Sequence, residues 1–216
     1  MKIAITNNHI EEEINIPVGK IKLQGDLIIP EMATSLILFS HGSGSNRFSS
    51  RNNIVAEELR NNRIGTFLFD LLTPEEELVY TNRFDIKLLT KRLKTATGWA
   101  LEYDHIDRLN VGYFGASTGA AAALNAAAEL SKLVGAIVLR GGRPDLSTDL
   151  SKVKSPTLLI VGGLDTEVIK LNKIAFKKLQ CEKELIILPD ASHFFEESGK
   201  LDEVARLSTE WYNKYL

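Results

Sequence analysis

Gly115-Ala116-Ser117-Thr118-Gly119 places a serine between two glycines, directly after the apolar run NVGYF at 110–114 and directly before an alanine-rich stretch. A strand that turns sharply into a helix at such a Gly-x-Ser-x-Gly string exposes the serine hydroxyl at the sheet edge. The flanking glycines remove side chains that would collide there. A serine hydroxyl is a poor nucleophile near neutral pH, so it needs a base within hydrogen-bond reach and a third group to fix the base's tautomer.

Only four histidines are present. His9 lies in a charged N-terminal segment and His105 in the polar stretch YDHIDRLN, which reads as solvated surface. His41 follows a buried strand in SHGSG and reads as a residue that holds its loop. His193, in LPDASHFFEE, is the candidate general base, and Asp165, in VGGLD, the candidate acid that orients it. Asp165 follows Ser117 by 48 residues and His193 follows Asp165 by 28. Each of the three then falls just after an apolar run. The competing role for Asp165 is the N-cap of the next helix, and Asp190 and Asp145 are the alternative acids. The chemistry this trio supports is acyl transfer. The N–H of Thr118, with that of Ser43 or Gly44 in the loop after the first central strand, is placed to hold the oxyanion.

These residues need a scaffold that brings distant loops together. Glu11–Pro30 alternates apolar and polar residues around Gly19 and Gly25, the pattern of an antiparallel hairpin with one buried face. Short apolar runs follow at Leu36–Phe39, Thr66–Phe69, Val111–Phe114, Ala136–Leu139, Leu158–Val161 and Leu185–Leu188. Helical stretches separate them at Asn52–Asn61, Phe84–Tyr103, Thr118–Leu130, Glu167–Leu179 and Leu201–Tyr215. Continuous apolar runs suit strands buried on both faces of a parallel sheet. The expected architecture is α/β: a mostly parallel central sheet opened by antiparallel strands, helices on both faces, one domain over 1–216. Ligands of such sheets sit at the carboxyl ends of the strands, where the candidate residues fall. Residues 140–156 leave too little chain for a helical lid.

The composition excludes several alternatives. The 216 residues are 44% hydrophobic and 25% charged, with 26 basic and 28 acidic side chains and a formal charge of −2. Nothing in that balance calls for nucleic acid or an anionic membrane. The single cysteine, Cys181, forms no intrachain disulfide, and no apolar run approaches the roughly 18 residues of a membrane helix. A cytoplasmic protein is the expectation, monomeric or homodimeric. His and Cys residues do not cluster at ligand spacing, so no metal and no organic cofactor is expected.

At these residues the chain resembles the α/β-hydrolase superfamily, and within it the small lidless dienelactone-hydrolase-like branch. The strings SHGSGSNRFSSRN at 40–52, FDLLTPEEE at 69–77, GYFGASTGAAAAL at 112–124 and RGGRPDL at 140–146 are similar to a bacterial subgroup, some of whose relatives are fused to phosphoribosyltransferase domains. The resemblance implies a serine hydrolase acting on a small ester, lactone or thioester. Dienelactone hydrolases themselves carry cysteine at the elbow where this chain has Ser117, so their specificity does not transfer. A peptidase, an amidase or a carbon-carbon bond hydrolase would use the same trio, and a binding protein that lost turnover would keep the fold. Arg47, Arg51, Arg140 and Arg143 fall on strand-end loops. They would either clamp an anionic group of a small-molecule substrate or pair with Asp70, Asp145 and nearby glutamates to hold the loops.

Overall fold

The computed structural model describes residues 9–104, 106 and 109–216; His105 lies outside them. Eight strands form one sheet in the order β1-β2-β4-β3-β5-β6-β7-β8. They are β1 (Ile10–Val18), β2 (Ile21–Ile29), β3 (Ser35–Ser40), β4 (Gly65–Phe69), β5 (Asn110–Ala116), β6 (Ala136–Arg140), β7 (Thr157–Gly162) and β8 (Lys183–Leu188). β1 pairs antiparallel with β2 and β2 antiparallel with β4, and every other pairing is parallel.

The hairpin turns through Gly19 and Lys20 and not at Gly25; Gly19 has φ 63° and Val18 faces Ile21. Gly25 is a strand residue opposite Ile14 and Phe69. A Cβ there would come within 2.7 Å of both Phe67 Cε2 and Phe69 Cβ, so its glycine serves close packing of strands and aromatics, not a turn.

The described residues form six α-helices: α1 (Ser50–Asn61), α2 (Pro74–Glu77), α3 (Ile86–Glu102), α4 (Thr118–Leu130), α5 (Thr166–Lys178) and α6 (Lys200–Tyr215). The short α2 was not expected from hydrophobic spacing. It is set by a capping box, in which Thr73 Oγ1 accepts from Glu76 N and Glu76 accepts from Thr73 N, with Pro74 at its first position. The long helix starts at Ile86 instead of Phe84, because Asp85 caps it by accepting from Leu88 N at 3.0 Å.

The central strands alternate between two cores. Leu36, Leu38, Tyr113, Ile137, Leu139 and Leu159 face the side packed by α3, α4 and α5. Ile37, Phe39, Phe114, Val138, Leu158 and Ile160 face α1 and α6. Alanine at 120–123, 126 and 127 is fully buried, and lets α4 lie close against β5. Residues 141–156, between β6 and β7, hold two short 3₁₀ turns and no helical cap. Among the described residues no helix is long and apolar enough to cross a membrane.

The cap at Asp85 gives a first expected outcome. Asp85→Ala should lower the unfolding free energy in urea by about 1 kcal/mol while leaving the sheet intact by circular dichroism.

Candidate active site

β5 ends at Ala116 and α4 begins at Thr118, so Ser117 alone makes the reversal, with φ 49° and ψ −121°. Non-glycine residues avoid positive φ, and holding one there costs about 1–3 kcal/mol, which the surroundings must offset. They do so by crowding. A Cβ on Gly119 would sit 2.0 Å from Ser40 O and 2.4 Å from His41 O, and one on Gly115 2.7 Å from Ala120 Cα. The turn is also tied to β6: Ser117 N donates to Arg140 O at 3.3 Å, and Ser117 O accepts from Arg143 N at 3.0 Å. The Ser117 side chain does not cap α4.

The loop after β3 crosses the serine. A Cβ on Gly42 would meet Ser117 Cβ at 2.9 Å and Ser117 Oγ at 3.6 Å, so only glycine lets the backbone pass so near. Gly42 was not singled out from sequence, although its position after His41 is the available signal. Ser45 N closes a turn onto Gly42 O, and Gly44 has φ 68°. The amides of Ser43, Gly44 and Thr118 donate to no other group among the described residues.

His41 holds this loop. Its Nε2 accepts from Leu71 N at 3.0 Å, so Nδ1 carries the proton and donates to Gly42 O at 3.0 Å. Both nitrogens are used and the ring is buried. Burial lowers the pKa of His41 from its ordinary value of 6.5, more than the Gly42 carbonyl and the Asp70 and Glu77 carboxylates raise it.

Asp165 and His193 come from the loops after β7 and β8. His193 Nδ1 donates to Asp165 Oδ2 at 2.6 Å, which leaves the neutral ring's lone pair on Nε2. The other oxygen, Oδ1, accepts from Val168 N at 3.4 Å. The N-cap role and the orienting role, competing in the sequence, are thus filled by one carboxylate, an oxygen each. Close backbone approach allows this: a Cβ on Gly162 would lie 2.4 Å from Ser192 O. Of the alternative acids, Asp145 is engaged by Arg143 through two bonds of 2.8 Å, and Asp190, with φ 56°, makes no bond to His193.

His193 reaches toward the elbow over Gly141, whose φ is 52° and whose Cβ would lie 3.6 Å from His193 Cε1. Ser117 Oγ and His193 form no hydrogen bond in this structure. Such contacts are often long without substrate and tighten when it binds. The histidine loop is braced by Ser192 N, which donates to Glu197 at 3.0 Å, and by Arg51, which donates to Glu196 at 3.2 Å while stacking 4.7 Å over Phe194.

The four arginines divide. Arg47 is 8% exposed and pairs with Glu13 at 3.0 Å, Asp26 at 3.2 Å and Asp70 at 3.2 Å, tying the β3–α1 loop to β1, β2 and β4. Asp70 also accepts from Arg47 N at 2.8 Å and so anchors the loop. Arg143 is taken by Asp145, and Arg51 has Glu196 as partner. Arg140 is buried and has no hydrogen bond or ion pair among the described residues.

A family model described as "Dienelactone hydrolase family" matches residues 58–215. The chain belongs to that family. A crystal structure of a dienelactone hydrolase from Anabaena variabilis ATCC 29413 is 52% identical, with a TM-score of 0.93 over 96% of this chain and 99% of that one. A lidless α/β serine hydrolase from Xanthomonas campestris superposes with a TM-score of 0.76 at 20% identity, over 94% of each chain, which concerns fold alone. The resemblance read from the sequence therefore holds for family and fold: this is a dienelactone-hydrolase-like member of the α/β hydrolases. A curated Mycobacterium tuberculosis protein, named provisionally as a phosphoribosyl transferase, is 48% identical over 207 residues, 95% of this chain but 47% of its own length. The chain thus spans about half the length of the curated relatives it matches.

The buried imidazole sets an expectation for acid stability. His41 is neutral in the fold and its folded pKa is depressed, so the unfolded chain binds the extra proton first as pH falls. Its contribution is complete above pH 6.5 and is lost as pH drops from there toward the folded value. Urea titrations between pH 8 and pH 5 should show falling stability for the natural chain and a shallower fall for His41→Gln.

Proposed function

We propose that this family member is a serine hydrolase that cleaves a small ester, lactone or thioester through an acyl-enzyme on Ser117. The observation that carries the reading is the 2.6 Å bond from His193 Nδ1 to Asp165, which aims a free Nε2 lone pair from a loop whose Gly141 contact adjoins the Ser117 elbow. In this mechanism Nε2 takes the Ser117 proton as Oγ attacks the carbonyl carbon. The tetrahedral oxyanion is held by Thr118 N–H and by Ser43 or Gly44 N–H, amides with no other partner. Collapse expels the alcohol or thiol, which leaves with the proton from His193. Water repeats the sequence to release the acid and free serine, while Asp165 stabilises the imidazolium. Each oxyanion donor contributes about 3 kcal/mol to transition-state stabilisation.

The rim supports an apolar portion in the substrate. Phe48, Leu164 and Phe194, which are 67%, 62% and 50% exposed, stand on the loops after β3, β7 and β8. Leu78, Val79, Tyr80 and Phe84, all exposed, follow β4. These loops surround the carboxyl ends of the strands, and uncovered apolar surface there suits an acyl or aryl group. The chain spans about half the length of its curated relatives, and the phosphoribosyl transfer in their name does not pass to it.

The absence of a Ser117–His193 hydrogen bond favours one rival, a binding protein on this fold without turnover. Incubation with a fluorophosphonate followed by peptide mapping separates the two. Labelling confined to Ser117 is expected, absent in Ser117→Ala and strongly slowed in His193→Ala. Hydrolysis of short nitrophenyl esters should fall about 10⁴-fold in kcat for Asp165→Asn. A folded natural chain that takes no label and turns over no ester would establish the binding protein instead.

A further inference from the structure

Arg140 ends β6 on the face of Ala136 and Val138, both apolar and fully buried. Its residue is 8% exposed. Its side chain makes no hydrogen bond or ion pair among the described residues, and Nη1 is wholly enclosed without an acceptor. The nearest compensation is the Phe114 ring, 6.0 Å from the guanidinium carbon, at the limit of a cation–π contact. Burial and the neighbouring Arg51 lower the pKa of Arg140 to about 10, so it stays charged near neutrality. A buried cation beside a second cation, with no carboxylate between them, lacks half of an ion pair.

The location says where the other half comes from. Arg140 O accepts from Ser117 N, and Arg140 is followed directly by Gly141, which meets the His193 ring. Arg51 comes from the first turn of α1, with its Nε also enclosed and unpartnered and its Nη1 on exposed Glu196. Ser40 Oγ, at the end of β3, and Thr118 Oγ1, next to the nucleophile, are likewise buried without partners. Unsatisfied buried polar atoms are rare in folded proteins; those of Ser40, Thr118 and Arg140 adjoin the elbow, and Arg47, Asn52, Arg92 and Asn172 each hold a further one elsewhere among the described residues. Arg47 and Arg143, in contrast, are ion-paired with the chain's own carboxylates.

We infer that Arg140 and Arg51 form an anion-binding subsite beside Ser117, which takes a carboxylate or phosphate group carried by the substrate. That the anion belongs to a substrate rests on the hydrolase reading; that an anion binds does not. An oxyanion between the two guanidinium groups would relieve their repulsion and give Arg140 the acceptor that the described residues do not supply.

The test titrates the natural chain, Ser117→Ala, Arg140→Met and Arg51→Met with sodium phosphate and sodium acetate against sodium chloride at equal ionic strength. Calorimetry and melting temperature are the readouts. The natural chain and Ser117→Ala should bind one of the two anions and melt higher than in chloride. Phosphate preference identifies a dianionic group and acetate preference a carboxylate. Arg140→Met should lose the response and melt no lower than the natural chain in chloride, since it no longer buries an uncompensated charge. Arg51→Met should bind at least 10-fold more weakly. The bound anion should also slow fluorophosphonate labelling of Ser117 with the calorimetric Kd. No binding above chloride, an unchanged response in Arg140→Met, or binding without protection of Ser117 would overturn the subsite. Anion binding lost with Arg140 in a chain that takes no label would retain the anion site and remove the hydrolase reading alone.

Discussion

One backbone conformation organises this molecule. Ser117 occupies φ 49° and ψ −121°, a region that non-glycine residues avoid, and it is held there by backbone bonds to Arg140 and Arg143 and by the close passage of Gly42. β5 brings the chain to the edge of the sheet, α4 leaves from it, and Gly42, Gly115 and Gly119 let backbone pass where any Cβ would collide. The hydroxyl is thereby turned out of the sheet instead of capping its own helix. The short side chains of α4 are part of the same constraint, because a helix leaving so abruptly must lie flat on β5.

The sheet then determines which residues can reach that hydroxyl. Parallel strands deliver every β-to-α loop to one edge, and the loops after β7 and β8 are pressed together at Gly162 until Asp165 and His193 meet. Charge is distributed by the same geometry. Arg47 and Arg143 are consumed in holding loops, Arg51 braces the histidine loop through Glu196, and Arg140 is left buried and unpaired. Arg47 and Arg143 thus face carboxylates of the chain, Arg51 meets one through a single nitrogen, and Arg140, whose carbonyl accepts from the strained serine, meets none among the described residues.

Much of this was legible in the sequence because the signals were local or ordered along the chain. The strand, the Gly-x-Ser-x-Gly string and the alanine-rich helix are contiguous, and Asp165 and His193 lie just after the apolar runs that became β7 and β8. The continuous apolar runs predicted a sheet covered on both faces, as β3, β5, β6 and β7 are. What failed to show was contact between distant segments. Gly25 reads as a turn residue from its neighbours, and only the pairing of β2 with β4 reveals that Phe67 and Phe69 exclude a side chain there. Gly42 and Gly141 matter because of Ser117 and His193, which no local pattern connects to them. The arginines look alike in sequence, and their separate roles depend on which carboxylates the fold brings within reach.

The most direct test of the central claim is rapid-quench mass spectrometry of the chain during turnover of a short nitrophenyl ester. The account predicts a burst of nitrophenol matched by one acyl group on the peptide containing Ser117, appearing and then decaying as substrate is exhausted. Ester turnover with the acyl group on another residue, or with no acyl-enzyme detectable while hydrolysis survives in Ser117→Ala, would contradict it.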